Sequence, residues 1–347
     1  MELKPLIDAM RAHGASDLHL KAGQPPILRI NGVLTPMVAY DDLTGEDVRS
    51  LLHALTTPAQ REIFEQEKEL DFGLTFEGQA RVRVNIARQR GEPTCALRLL
   101  RGIIPTIEEL HLPPVCKTLA DLEQGLVLVT GPTGSGKSTT LAALLEHINR
   151  STARHIVTIE DPIEYVFEEK RSLFTQREVG LDTHSFQAGL KHALRQDPDV
   201  IMVGEMRDLE TIAATLTAAE TGHLVLATLH TPSAPETVDR IIDVFPADQQ
   251  AQIRTQLAMT LAGIIAQRLV VRDDRPGRIA ACEVMLGTPA VRNLIREGKT
   301  HQMRSILQTS RDVGMQTLDD ALKALYREQF IGPETMRRGG NHQPFSS

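Results

Sequence analysis

Leu126-Val127-Leu128-Val129-Thr130-Gly131-Pro132-Thr133-Gly134-Ser135-Gly136-Lys137-Ser138-Thr139 decides how this chain is read. Four apolar residues form a strand signal. Gly131 to Ser138 spell a complete P-loop, and the apolar pattern from Ser138 to Ile148 predicts a helix. A strand, a glycine loop and a helix in that order are the context this motif needs. The glycines let backbone N–H groups close around phosphate oxygens, and the helix N-terminus adds a positive dipole end. Gly131, Pro132, Thr133, Gly134, Ser135, Gly136, Lys137, Ser138 and Thr139 are therefore the expected nucleotide-binding set. In it Lys137 reaches the β- and γ-phosphates, and Ser138 offers a hydroxyl to Mg²⁺.

Working outward, other short apolar runs follow at 155–159, 200–203 and 224–227, separated by helical segments. Buried strands alternating with helices predict a mostly parallel α/β sheet. Each run ends in polar residues. Val200-Ile201-Met202-Val203-Gly204-Glu205 places an acid at the carboxyl end of a strand, where Glu205 is expected to act on Mg²⁺ through its water shell. Glu160, Asp161 and Glu164 set three carboxylates within five residues around Pro162. Such acids repel one another unless a cation is near. Glu164 is the expected water-positioning group, with Glu160 and Asp161 organising the metal shell. An exposed acidic turn is the plainer alternative. His223 and His230 bracket the strand at 224–229. Period-two alternation sets them on opposite faces, poorly placed to share one metal. His230 with Thr231 reads as a γ-phosphate sensor, whereas a capping role is as plausible for His223.

The first hundred residues have another character. Residues 3–13 and a stretch opening at Thr44 read as helices, the latter with Val48, Leu51, Leu52 and Leu55 on one face. Residues 17–20, 27–30, 71–75, 81–86 and 94–100 read as strands, with Asn31-Gly32 as a hairpin turn. Short turns between them predict one antiparallel sheet. Arg81 and Arg83 share a strand face, and Arg98 follows. A solvated face is the simpler account. Arginines that reach a neighbour's γ-phosphate can add about 10³–10⁵ in rate, so these are candidate fingers acting in trans. Pro105, Pro113 and Pro114 mark a linker. The expected division is a first domain at 1–102, a linker at 103–114, an ATPase domain at 115–336 and a disordered tail at 337–347. From Pro246 the pattern looks helical, because Ile253, Leu257, Leu261, Ile265 and Leu269 recur every fourth position.

Composition narrows the function classes. The chain has 347 residues, net charge −7, 41% hydrophobic residues, 3% aromatics and no tryptophan. That balance suits a folded two-domain protein and argues against nucleic acid as a partner. No apolar run approaches the ~18 residues of a spanning helix, and Glu2, Lys4 and Asp8 leave no signal-peptide core. Cys95, Cys116 and Cys282 are too far apart for a Cys-x-x-Cys zinc site, and they fit a reducing cytoplasm.

Together these motifs resemble the PilT family of type IV pilus retraction ATPases, within the wider secretion-ATPase superfamily. The resemblance covers nearly the whole chain. It includes Ser16-Asp17-Leu18-His19-Leu20, Pro25-Pro26, residues 81–85, the P-loop, residues 159–165, Gly204-Glu205-Met206-Arg207-Asp208, residues 222–231, Ala290-Val291-Arg292-Asn293-Leu294-Ile295-Arg296-Glu297 and residues 314–318. It implies a PAS-like α+β domain followed by a RecA-like ATPase domain with a helical C-terminal region. It further implies a cytoplasmic homohexamer that binds ATP and Mg²⁺, docks on the inner-membrane pilus platform protein and retracts pili for twitching motility. By this resemblance the arginine fingers fall on Arg83 and Arg98, the catalytic glutamate on Glu164, the Walker B acid on Glu205 and the box histidines on His223 and His230.

The alternatives are an accessory PilU-like motor, which could also be a partner paralogue, an assembly or secretion ATPase, a RecA-like DNA translocase and a non-catalytic nucleotide-binding ring. Assembly motors often carry a four-cysteine zinc module, for which this sequence has no cysteines to spare.

Overall fold

A computed structural model of the chain describes residues 2–30, 32–76, 80–100 and 102–340. They divide into two units. Met1–Ile103 with Pro162–Val166 form the first, and Ile104–Asp161 with Phe167–Ser347 form the second.

The first unit contains α1 (Lys4–Ala12), β1 (Asp17–Lys21), β2 (Ile27–Ile30), β3 (Val33–Pro36), α2 (Gly45–Leu55), α3 (Pro58–Glu67), β4 (Glu69–Phe76), β5 (Ala80–Gln89) and β6 (Glu92–Leu99). The strands form one antiparallel sheet in the order β3-β2-β1-β6-β5-β4. Both longer helices start where side chains satisfy the first N–H groups. Thr44 and Asp47 form a reciprocal capping box for α2, and Thr57 and Gln60 form one for α3. Val48, Leu51, Leu52 and Leu55 then bury one face of α2. Along β5, Val82, Val84 and Ile86 are fully buried, so the alternating Arg81, Arg83 and Asn85 lie on the other face. The β2–β3 hairpin pairs Ile30 with Val33, as the turn signal predicts; Asn31 itself lies outside the described residues.

The second unit runs α4 (Val115–Ala120), β7 (Gly125–Thr130), α5 (Lys137–Ser151), β8 (His155–Glu160), β9 (Leu173–Glu178), α6 (Phe186–Ala193), β10 (Val200–Val203), α7 (Leu209–Glu220), β11 (Leu224–Leu229), α8 (Ala234–Asp243) and α9 (Gln250–Thr260). It continues through β12 (Leu261–Val271), β13 (Arg278–Leu286), α10 (Pro289–Glu297), α11 (Met303–Thr309), α12 (Leu318–Arg327) and α13 (Pro333–Gly340). Seven strands are ordered β13-β12-β7-β11-β10-β8-β9, all parallel except the β12–β13 pair. Every residue of β7, β10 and β11 is buried, as strands covered on both faces must be. Each large apolar side chain removed from water there contributes about 1.5–3 kcal/mol. Among the described residues no helix is long and apolar enough to cross a membrane.

Three readings of the sequence change. Leu261, Ile265 and Leu269 do not extend a helix; they lie on β12. A four-residue repeat is in phase with both periods, since four is two strand repeats and close to one helical turn. Burial of every residue from Gly263 to Gln267 and the pairing of β12 with β7 and β13 decide for the strand. The Pro-rich segment also belongs mostly to the second unit, which opens at Ile104 and buries Ile107 and Leu112. Finally, α13 continues through Arg337 to Gly340, where composition suggests a disordered tail; residues 341–347 lie outside the described set.

Candidate nucleotide-binding site

Three glycines shape the loop between β7 and α5. Gly131, Gly134 and Gly136 have φ of +140°, +77° and +90°, a region that side-chain-bearing residues avoid. At Gly131 space is also denied: a Cβ there would meet the Gln267 carbonyl at 2.3 Å and Ser135 Oγ at 2.7 Å. Helix α5 opens on Gly136 with no side-chain cap. Its first-turn N–H groups are thus left for an anion, unlike those of α2 and α3. Ser135 Oγ is buried with no hydrogen-bond partner. Uncapped amides, a loop held in backbone geometry that favours glycine and an orphaned hydroxyl fit a bound phosphate chain.

Lys137 is 9% exposed and lies across its own loop. Its Nζ donates to Gly131 O at 2.8 Å and Pro132 O at 3.1 Å, and approaches His230 Nδ1 at 3.3 Å. An ammonium only donates, so Nδ1 must accept. The His230 proton then sits on Nε2, which donates to Glu205 Oε1 at 2.9 Å. One hydrogen-bonded chain therefore joins the P-loop lysine, the residue after β11 and the acid after β10. Parallel strands make this possible, because all three end on the same edge of the sheet.

Glu205 is also clamped by Arg207, with Nε 2.7 Å from Oε1 and Nη2 2.8 Å from Oε2. Burial opposes charge on Glu205, yet the Arg207 guanidinium and His230 outweigh it and hold the carboxyl below its ordinary range. Arg207 lies 3.5 Å from Asp161 as well. Glu160 accepts from Thr158 Oγ1 at 2.7 Å and Gln176 Nε2 at 3.2 Å. Among the described residues no three acids or histidines converge as a metal cluster. Ser138 is exposed at the start of α5, and Thr139 is half-buried beside it. A hydroxyl and a separate carboxylate suit a cation that arrives with substrate phosphates rather than one caged by protein.

His223 sits at the other end of β11. Its Nδ1 lies 2.9 Å from Ala218 O, closing the end of α7, which is the capping alternative. Glu164 lies in Pro162–Val166, which clusters with the first unit, where Arg81 Nε donates to Ile163 O at 2.7 Å.

The first unit carries the other two candidates. Register places Arg29 opposite Asp17, Asp17 opposite Arg98, and Arg98 opposite Arg83, a lateral row over four strands. Arg83 forms a bidentate pair with Asp71, at 3.0 Å for Nε–Oδ1 and 2.6 Å for Nη2–Oδ2. Arg98 Nε donates to Asp17 Oδ1 at 2.8 Å, and Arg29 Nε lies 3.9 Å from Oδ2. Burial raises the Asp17 carboxyl, but bonds from Arg98 and Ser16 more than compensate, so it titrates below the usual aspartate range.

Sequence reasoning missed Gln267, Arg207, Asp17 and Asp71. Arg207 stands two residues after Glu205 and could have been suspected. Gln267 and Asp17 lie on strands remote in sequence from what they hold; Asp71 is on the strand just before that of Arg83, and their meeting depends on the register between the two.

A P-loop protein on a mostly parallel sheet is the class that this fold and site define. The chain belongs to the family described as Type II/IV secretion system protein, which matches residues 3–332. It is 49% identical over 337 residues to the type IV pilus retraction ATPase PilT of Pseudomonas aeruginosa, covering 97% of each chain. It is 44% identical to the type IV pilus ATPase PilU of the same organism, covering 94% of this chain and 86% of that one. The crystal structure of the pilus retraction motor PilT with bound ADP is similar at 44% identity and TM-score 0.92, over 99% of this chain and 98% of that one.

Proposed function

We propose that this protein is a motor ATPase that powers type IV pilus retraction. The observation that carries the reading is the likeness, over essentially the whole chain, to a retraction motor crystallised with ADP. The joined Lys137–His230–Glu205 chain at the head of the sheet supports it.

In this reading the first unit is PAS-like and the second RecA-like. Six copies form a cytoplasmic ring against the inner-membrane platform protein. ATP lies on the P-loop of one subunit. Loop amides from Gly131 to Lys137 bind its phosphates, and Lys137 exchanges its bonds to Gly131 and Pro132 for phosphate oxygens. That exchange releases His230 Nδ1, so occupancy of the γ-position is reported along the histidine to Glu205. Mg²⁺, held by Ser138 and through water by Glu205, Glu160 and Asp161, supplies charge neutralisation on the phosphates. Glu164 orients the attacking water. Arg83 and Arg98 come from the neighbouring subunit, each still oriented by its carboxylate partner, Asp71 or Asp17. The junction of the two units at Ile103 and Ile104 takes up the rotation as phosphate is lost, and successive closures draw pilin subunits from the fibre.

A Lys137→Ala allele in the native host tests this. Abundant surface pili without twitching is the expected result. Cells without pili would mean an assembly motor, and normal twitching would mean an accessory motor or a different machine.

A further inference from the structure

Strand β12 does more than extend the sheet. Ala266 pairs with Thr130, the last residue of β7, so Gln267 stands level with Gly131 at the mouth of the P-loop. It is 1% exposed. Its main-chain oxygen packs against the Gly131 Cα so closely that only glycine fits. Its side chain runs under the loop to the other end. Nε2 donates to Ser135 O at 2.7 Å, and Oε1 accepts from Thr140 Oγ1 at 2.9 Å. A Cβ on Gly136 would lie 3.3 Å from Nε2. One residue therefore touches the first residue of the loop, the last two before the lysine and the first turn of α5.

An anion nest works only if successive amides face the ligand, which requires the intervening carbonyls to turn away and find donors elsewhere. In this loop Gly131 O takes Lys137, and Ser135 O takes Gln267. The lysine bond is one that a phosphate would displace. The Gln267 bond lies on the buried side and persists. The Ser135 carbonyl settles which end of the amide is nitrogen, because a carbonyl oxygen only accepts; Oε1 is then left to accept from the Thr140 hydroxyl.

We propose that Gln267 is a positioning residue for nucleotide binding: it turns the Ser135 carbonyl away from the phosphates and so holds the neighbouring amides toward them. It touches no phosphate and acts through the loop. The inference rests on the P-loop being the nucleotide site, and Lys137→Ala is the control for that.

Binding of a fluorescent ADP analogue to the full-length chain is the readout, with melting recorded without nucleotide to monitor folding. Gln267→Met keeps the length and loses both bonds; its dissociation constant rises about tenfold, the cost of one buried hydrogen bond. The KM for ATP rises by more than kcat falls. Gln267→Glu keeps the acceptor for Thr140 but sets a carboxylate against Ser135 O, and it binds more weakly than Gln267→Met. Thr140→Val loses roughly two- to threefold, and the double variant with Gln267→Met is no weaker than Gln267→Met alone, since both act through one amide. Wild-type ADP affinity in Gln267→Met, or full additivity with Thr140→Val, overturns the proposal. Should Gln267→Met melt below the assay temperature, Thr140→Val carries the comparison, and wild-type ADP affinity in it overturns the proposal. If Lys137→Ala also leaves ADP binding intact, the nucleotide assignment itself is what fails.

Discussion

The two units place charge by opposite means. In the second, parallel strands all end on one edge, and the polar residues that follow them meet there: Lys137 after β7, Glu205 after β10 and His230 after β11. Each belongs to a contiguous motif. In the first, an antiparallel sheet lays charges across its face, so that Arg29, Asp17, Arg98 and Arg83 come from four strands, with Asp17 and Arg98 81 positions apart. Every arginine of that row reaches toward a carboxylate. The parallel unit builds a site from strand ends, and the antiparallel unit builds a surface from strand middles. Only the first kind is written locally.

The comparison can be broken. If the arginine row completes a neighbour's pocket, Arg83→Ala and Arg98→Ala each lower ATP turnover of the assembled protein by about 10³, the scale of a lost arginine finger. Because the Arg83–Asp71 pair is partly exposed, melting should barely move in Arg83→Ala, whereas Arg98→Ala takes the nearest cation from buried Asp17 and should lower it modestly. Equal turnover in the variants would reduce the row to a solvated surface.

A smaller effect is expected inside the parallel unit, away from the strand ends. Glu146 on α5 is buried and takes Arg150 Nε at 2.6 Å, Asn149 Nδ2 at 3.1 Å and the Lys170 ammonium. Burial disfavours its charge, but those three partners prevail and lower its pKa from the ordinary 4.5. Glu146→Ala takes an acceptor from the fully buried Asn149 amide, while Arg150 and Lys170 stay partly exposed, and should cost about 2 kcal/mol in denaturant unfolding. A group depressed in the folded state gives stability that is full above its unfolded pKa and fades as pH drops through the folded value. Wild-type protein should therefore lose this contribution below about pH 4.5, and Glu146→Gln should flatten that part of the curve. A pH profile identical in the two proteins would remove the ion cluster as a stabilising device.

The smallest effect sharpens the row itself. Asp17 orients Arg98 from a buried position, so Asp17→Asn should lower turnover about tenfold, the worth of one charge-assisted bond. It should add nothing to Arg98→Ala, because it works through that arginine. Additive losses would mean that Asp17 only supports the sheet. Unchanged turnover in Arg98→Ala alone would instead sink the trans reading on which this rests.

Legibility followed the same line. The P-loop, Glu205 and His230 could be read because phosphate chemistry at a strand end needs adjacent residues of fixed type. The alternation Arg81-Val82-Arg83-Val84 exposed a strand with a basic face, and Thr44 and Asp47 announced α2. Asp17 could not be found, since register between distant strands is set by packing, and Asp71 could not be matched to Arg83 on the next strand before the turn fixed their register. Gln267 was hidden twice. Its segment satisfies a helical and a strand period alike, and the loop it serves lies 132 positions away.

By itself the sequence determined that a P-loop follows a buried strand and that an antiparallel domain precedes a parallel one. Local chemistry suffices for that: glycines where φ must be positive, apolar runs where both faces are covered, alternation where one is. Tertiary structure alone decided which carboxylate holds which arginine, that β12 rather than a helix floors the P-loop, and that a lysine, a histidine and a glutamate share one line of hydrogen bonds. Those are contacts between segments remote along the chain, and only the closing of each sheet brings them within reach.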